Sequence, residues 1–216
     1  MPTTPLSNAG THFAYATTPP QTPDPGVPHT QSDASPHRAI IARGSRGQVE
    51  QHKDRAIKSL FQPDPKALMH EMNMWNDYLH TVGHGGEAYM ERGQLSMPYI
   101  HGETPTHLEV KEGVQQLFNQ GFMIGDPAPN NFKRTPEGQV VPVDFGQVFR
   151  PQNIHTLEPT VMGEIVRDYV KGGFRAIPES LQADYRDAIK AMVKKSGSNN
   201  PLKQMNVRQL ARAGLL

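Results

Sequence analysis

Cysteine is missing from this chain of 216 residues. Its absence excludes disulfides, thiolate zinc sites and cysteine nucleophiles, and fits any redox compartment. A charge excess is missing too, since 22 Lys and Arg stand against 21 Asp and Glu. Nucleic-acid binders and polybasic membrane anchors need a strong basic field, which this balance does not supply. No apolar run approaches the roughly 18 residues that a membrane-spanning helix needs. The opening residues lack the basic start and apolar stretch of a secretory signal peptide. No internal repeat is present. Length therefore points to one domain, with room for a small two-lobed one.

What is present changes in texture along the chain. Residues 1 to 37 are dense in Pro, Thr and Ser with few large apolar groups, so they are expected to be disordered. At Ala39-Ile40-Ile41 an apolar run leads to Gly44 and Gly47, then to Gln48 through Gln51. Turn chemistry at Lys53-Asp54 precedes Arg55 to Leu60, giving three short antiparallel strands. After Pro63-Asp64-Pro65, Leu68, Met72, Trp75 and Leu79 recur at helical spacing through about His80. Gly83 to Gly86 ends that helix. Glu87 to Arg92 and Gln94 to Ile100 form a hairpin around Gly93, and Thr106 to Met123 carries a second helical stripe of Leu108, Val114, Leu117, Phe118 and Phe122. Asn131 to Arg134 and Gln139 to Phe145 make a ribbon turned at Pro136-Glu137-Gly138. Pro142 in that ribbon has no amide proton and so implies an edge position or a bulge. Val161 to Val170, Ser180 to Lys195 and, more weakly, Met205 to Ala213 complete an α+β chain with helical periodicity.

Chemistry concentrates at one spacing. Asp126 stands five residues before Asn131, and Asn131 stands thirteen before Asp144 of Asp144-Phe145-Gly146. That is the arrangement of a phosphotransferase loop with its metal-binding turn: Asp126 to orient a hydroxyl and accept its proton, Asn131 and Asp144 to hold magnesium. Upstream, Ala42-Arg43-Gly44-Ser45-Arg46-Gly47-Gln48-Val49 has the register of a glycine-rich phosphate loop, with Ala42 in place of a first glycine. Gly44, Ser45 and Gly47 would bring backbone amides to the phosphates, and Val49 would cover the base. Ala56-Ile57-Lys58 supplies a strand lysine for the phosphates, and Glu71, between Leu68 and Met72, is its natural ion-pair partner. Leu95 to Gly102 would pass from the last strand into a hinge, with Met97 as gatekeeper and Tyr99 and Ile100 beside adenine. Taken singly, these features also fit a Gly-containing hairpin, a solvated lysine, an exposed helix glutamate and a strand ending in a loop.

Together the residues resemble the protein kinase fold over about residues 38 to 150, with a small antiparallel N-lobe of about 38 to 100, one helix in it, and a shortened helical C-lobe of about 101 to 216. Only 70 residues follow Gly146 and no Ala-Pro-Glu occurs among them. So reduced a chain resembles the minimal bacterial effector kinases of the OspG and NleH kind and the related HSP90-phosphorylating effectors. The resemblance implies ATP and Mg2+ as cofactors and transfer to a protein hydroxyl, Ser or Thr ahead of Tyr. It further implies type III secretion into the host cytoplasm with residues 1 to 37 as the secretion signal. HSP90 becomes a candidate substrate, and a ubiquitin-conjugating enzyme complex a candidate partner. Ile124 and Gly125 stand where the family has His and Arg, so activity independent of activation-loop phosphorylation is expected.

Two other classes fit some of the same residues. Antibiotic kinases share the loop logic but usually have a larger helical substrate region, which weighs against a small-molecule phosphotransferase. A partner-binding pseudokinase is disfavoured because Lys58, Asp126, Asn131 and Asp144 are all present. His80 and His84 have i, i+4 spacing but flank Gly83, where a helix ends, so no metal site is read there. Met69, Met72 and Met74 read as packing residues beside Trp75.

Overall fold

The computed structural model describes residues 39–196 with 211, 212 and 214. The expected disorder of residues 1 to 37, and most of the expected helix from Met205 to Ala213, lie outside that range. Within it the fold is α+β, a small antiparallel sheet with several helices.

Five strands build the sheet: β1 (Ala39–Arg43), β2 (Gly47–His52), β3 (Arg55–Leu60), β4 (Tyr89–Glu91) and β5 (Gln94–Pro98). Their order is β1-β2-β3-β5-β4, every neighbour antiparallel, so β3 is central. Lys58 on β3 faces Val49 across one edge and Leu95 across the other. The β4–β5 turn uses left-handed backbone at Arg92 (φ 50°) and Gly93 (φ 77°), the conformation that joins two strands tightly.

Between β3 and β4 runs α1 (Pro65–Val82). Pro65 opens it, the Asp64 side chain accepts the Ala67 amide at 3.0 Å, and Gly83 at φ 70° closes it. Its buried face is Leu68, Glu71, Trp75, Tyr78 and Leu79. Met69 is 51% exposed, so it is not one of the packing methionines; Met72 and Met74 are partly buried against the core. Asn76 fixes the following loop, exchanging hydrogen bonds of 2.9 and 2.7 Å with the Ala88 backbone.

The second helix, α2 (His107–Asn119), is shorter than its sequence periodicity implies. Thr106 and Glu109 cap each other reciprocally at its start, and Gly121 at φ +85° follows its end. Leu108 is 70% exposed, because the first turn presents Val110 to the core in its place. The buried stripe is Val110, Gly113, Val114 and Leu117. Met123 belongs to the next element, β6 (Met123–Ile124).

A ribbon of β7 (Phe132–Arg134) and β8 (Val140–Pro142) comes next. Pro142 pairs with Phe132 in a sheet of two strands, where each strand has a free edge. The second strand ends there rather than at Phe145, freeing Asp144 and Gly146 to turn. Then β9 (Val148–Phe149) pairs back onto β6. Helices α3 (Pro159–Lys171) and α4 (Gln182–Ser196) pack together; Ser180 lies in a 3₁₀ turn ahead of α4. No described helix is long and apolar enough to cross a membrane.

The phase of α2 is open to a direct check. Val110→Ala should lower the unfolding free energy by about 2 kcal/mol, whereas Leu108→Ala should stay within about 0.5 kcal/mol of the parent in urea unfolding.

Candidate active site

One ammonium group organises the site. The Lys58 Nζ donates to both oxygens of Glu71 at 2.8 Å and lies 3.2 Å from both oxygens of Asp144. Glu71 has only 4% of its side chain exposed and Lys58 16%, while Asp144 keeps 42%. Burial alone would lower the Lys58 pKa, but the Asp144 and Glu71 carboxylates outweigh it and hold the lysine charged. Burial pushes Glu71 up to about 7 against the pull of Lys58, with the Asp144 charge adding to the rise. Asp144 moves the other way: burial would raise it, but Lys58 and the Gly146 amide, 3.0 Å from Oδ1, hold it below the usual carboxylate range.

Behind this triad, Phe145 is fully buried. Its ring meets Trp75 of α1 edge-on at 4.7 Å and Tyr78 at 5.2 Å. The turn that carries Asp144 is thus seated on the helix that carries Glu71.

Asp126 and Asn131 are linked through a short 3₁₀ turn. The Asn131 Nδ2 donates to the Asp126 carbonyl at 2.8 Å and to its Oδ2 at 3.1 Å. Only an amide nitrogen can bond two acceptors in this way, so the carboxamide oxygen is the end left for a cation. The Asn131 carbonyl accepts the Val143 amide at 2.8 Å, tying the loop to the residue before Asp144. Burial raises the Asp126 carboxyl above its ordinary value; the Asn131 bond opposes this, and the nearby Asp168 and Asp144 charges add to it.

A cavity of about 750 Å³ unites these groups. Its walls include Gly44, Ser45, Gly47, Val49, Lys58, Glu71, Met97, Tyr99, Ile100, Asp126, Asn131 and Asp144, every site residue singled out from the sequence. Gly47 admits no side chain: a Cβ there would lie 2.2 Å from the Ser59 carbonyl oxygen. Arg46, at the loop tip, pairs with Glu164 of α3 and lies 3.7 Å from Asp64.

Several lining residues escaped sequence reasoning. Arg46, Lys133, Gln147, Arg167 and Asp168 belong to the same wall. Gln147 Nε2 donates to Asp168 Oδ2 at 2.8 Å, and Arg167 grips the same carboxylate at 2.9 Å. No local pattern announces these contacts, which join residues about 20 apart or more, apart from the neighbouring Arg167 and Asp168.

The residues before Asp126 explain why no arginine stands there. Ile124 is buried and its amide donates to the Tyr185 hydroxyl at 3.2 Å. A Cβ on Gly125 would lie 2.8 Å from Gln147 Oε1 and 3.0 Å from the Ile165 Cα. Helix α3 packs where a larger side chain would have to go.

Two oxygen donors, Asn131 Oδ1 and Asp144, suit a hard divalent cation that takes its remaining oxygens from phosphate and water. Among the described residues no group of three or more His, Asp or Glu is gathered as metal ligands.

No family model matches this chain, and no curated protein matches it. Among solved structures it is similar to Rv3197 of Mycobacterium tuberculosis, determined with erythromycin, at 16% identity and a TM-score of 0.39. The match covers 80% of this chain and 57% of that one.

Lys58→Met tests the electrostatics. Glu71 sits above its unfolded value of 4.5, so its contribution to stability is full below that pH and is lost as pH rises through about 7. Without Lys58 the carboxyl moves higher still, and the loss continues above neutrality. The deficit of the variant relative to the parent should widen as pH rises through and above about 7, by up to about 1.4 kcal/mol per unit, in urea unfolding. A deficit that does not change with pH would contradict this.

Proposed function

We propose that this chain is an ATP- and Mg2+-dependent protein kinase of minimal, two-lobed form. The observation that carries the reading is the Lys58 ammonium held between Glu71 and Asp144, with the Asp126–Asn131 pair on the wall of the same cavity. Phosphoryl transfer asks little covalent chemistry of a protein: it needs positioned phosphates, neutralised charge and an oriented acceptor. In this reading the sheet with α1 is the small lobe and the helical remainder the shortened large one.

Each residue has a task in that reaction. The Gly44 amide closes the loop on the Gly47 carbonyl at 2.9 Å, and the amides between them, with the Lys58 ammonium, hold the phosphates of ATP. Magnesium, when bound by Asn131 and Asp144, supplies charge neutralisation at the phosphate oxygens. Asp126 aligns the acceptor hydroxyl and takes its proton as the oxygen bonds to the γ-phosphorus. The bond from that phosphorus to the bridging oxygen breaks, and ADP leaves. A carboxyl raised by burial is a stronger base when ionised, which suits Asp126 to that role.

The proposal extends to context through the family resemblance: a bacterial effector delivered into a host cell, acting on Ser or Thr of a host protein. HSP90 is the candidate substrate and a ubiquitin-conjugating enzyme complex a candidate partner. The absence of an arginine before Asp126, and the lack of room for one, support activity without activation-loop phosphorylation.

Labelled ATP, Mg2+ and host lysate test the reading. The parent should label a protein band. Lys58→Ala and Asp144→Ala should each lower labelling by about 100-fold or more, and Asp126→Asn by about 100-fold. Label confined to small molecules, or no label at all, would overturn it.

A further inference from the structure

The cavity-facing side of α1 carries Glu71, but a second side of the same helix is held just as firmly. His70, Asp77 and Thr81 recur at i, i+7 and i+11, which aligns them along one stripe about a quarter-turn from Glu71. All three meet the segment that follows Gly146. His70 Nε2 lies 2.9 Å from the Val148 carbonyl oxygen. Arg150 grips Asp77 with two parallel bonds, from Nε to Oδ2 at 2.5 Å and from Nη2 to Oδ1 at 2.9 Å. Its Nη2 also donates to Thr81 Oγ1 at 3.0 Å.

The guanidinium is itself braced from behind. It lies 3.9 Å from the centroid of the Phe122 ring, in cation–π contact. Gly121 leaves it room, since a Cβ there would come within 2.9 Å of Nη1. Only 18% of the Arg150 side chain is exposed. Arginine is suited to this place because its planar fork matches the carboxylate while its face covers an aromatic ring.

The consequence is geometric. Asp144 and Arg150 lie six residues apart on one short segment; one receives Lys58 and the other fixes the helix that brings Glu71 to the same lysine. We propose that Arg150 is a positioning residue that holds α1 through Asp77 and Thr81 with Glu71 on Lys58, so that the site is assembled without any added phosphate. In phosphotransferases of this logic, helix placement decides whether the lysine–glutamate pair forms, and a phosphorylated segment commonly decides helix placement. Here the deciding contact is already encoded. This inference rests on the kinase reading above for its effect on catalysis, while the clamp itself is a statement about α1.

Trp75 is the sole tryptophan of the chain and sits on α1 against Phe145, so its fluorescence reports the docking of the helix. Arg150→Gln, Asp77→Asn, their double variant and the milder Thr81→Val should be compared with the parent at a temperature where all remain folded by circular dichroism. Arg150→Gln and Asp77→Asn should each raise acrylamide quenching of Trp75 and lower the rate of label transfer to the acceptor band by about 100-fold. The loss should fall in kcat more than in the KM for ATP, and the double variant should be no worse than either single change. Thr81→Val should shift both readouts in the same direction by a smaller factor. Parent-like quenching in the single variants overturns the clamp, whatever happens to transfer; increased quenching with parent-like kcat overturns its role in positioning. If the parent transfers no phosphate, the kinase reading fails by itself, and quenching still decides the clamp.

Discussion

A lysine ammonium between two carboxylates from distant parts of the chain is the constraint on which the site depends. Lys58 comes from the central strand, Glu71 from α1 and Asp144 from a turn 86 residues after Lys58. Glu71 and Lys58 are nearly or largely out of solvent, where an uncompensated charge would cost several kcal/mol. The sheet, the helix and the turn must therefore be in register before all three charges are satisfied together. Most of the surrounding structure serves that register: Trp75 and Tyr78 seat Phe145, and Asn131 ties the loop of Asp126 to the strand leading into Asp144.

The economy of the chain shows in how the helical part closes on that site. From Gly146 the backbone passes through β9 and a 3₁₀ turn into α3 by Pro159, leaving no long excursion. Helix α3 then lies directly against the loop before Asp126. Gly125 and Gly173 permit it, since a Cβ on Gly173 would lie 2.9 Å from the Gly125 carbonyl oxygen. Arg46 at the glycine-loop tip reaches Glu164 on the same helix, so α3 borders both the glycine loop and Asp126.

Much of this was legible in the residues. The apolar run at Ala39 to Ile41 and the turn chemistry at Lys53-Asp54 placed β1, β2 and β3, and the Leu68, Trp75 and Leu79 spacing placed α1. The 126, 131, 144 spacing marked residues that line one cavity. What escaped had physical reasons. Leu108 and Val110 are both apolar, and spacing alone does not tell which of them the first turn of α2 turns inward. β6 and β9 are two residues each, too short for any periodicity. The Arg150–Asp77 pair spans 73 residues and Gln147–Asp168 spans 21, so neither is a local pattern. Gly125 looked like a departure from a motif and is a packing requirement.

A crystal structure with a non-hydrolysable ATP analogue and magnesium tests the central claim most directly. The expected result is a triphosphate beneath Gly44 to Gly47, in contact with Lys58 while Glu71 keeps its bond to the same lysine, and a metal ion on Asn131 Oδ1 and Asp144. A saturated crystal with the analogue bound elsewhere, or with no metal at Asn131 and Asp144, would contradict it.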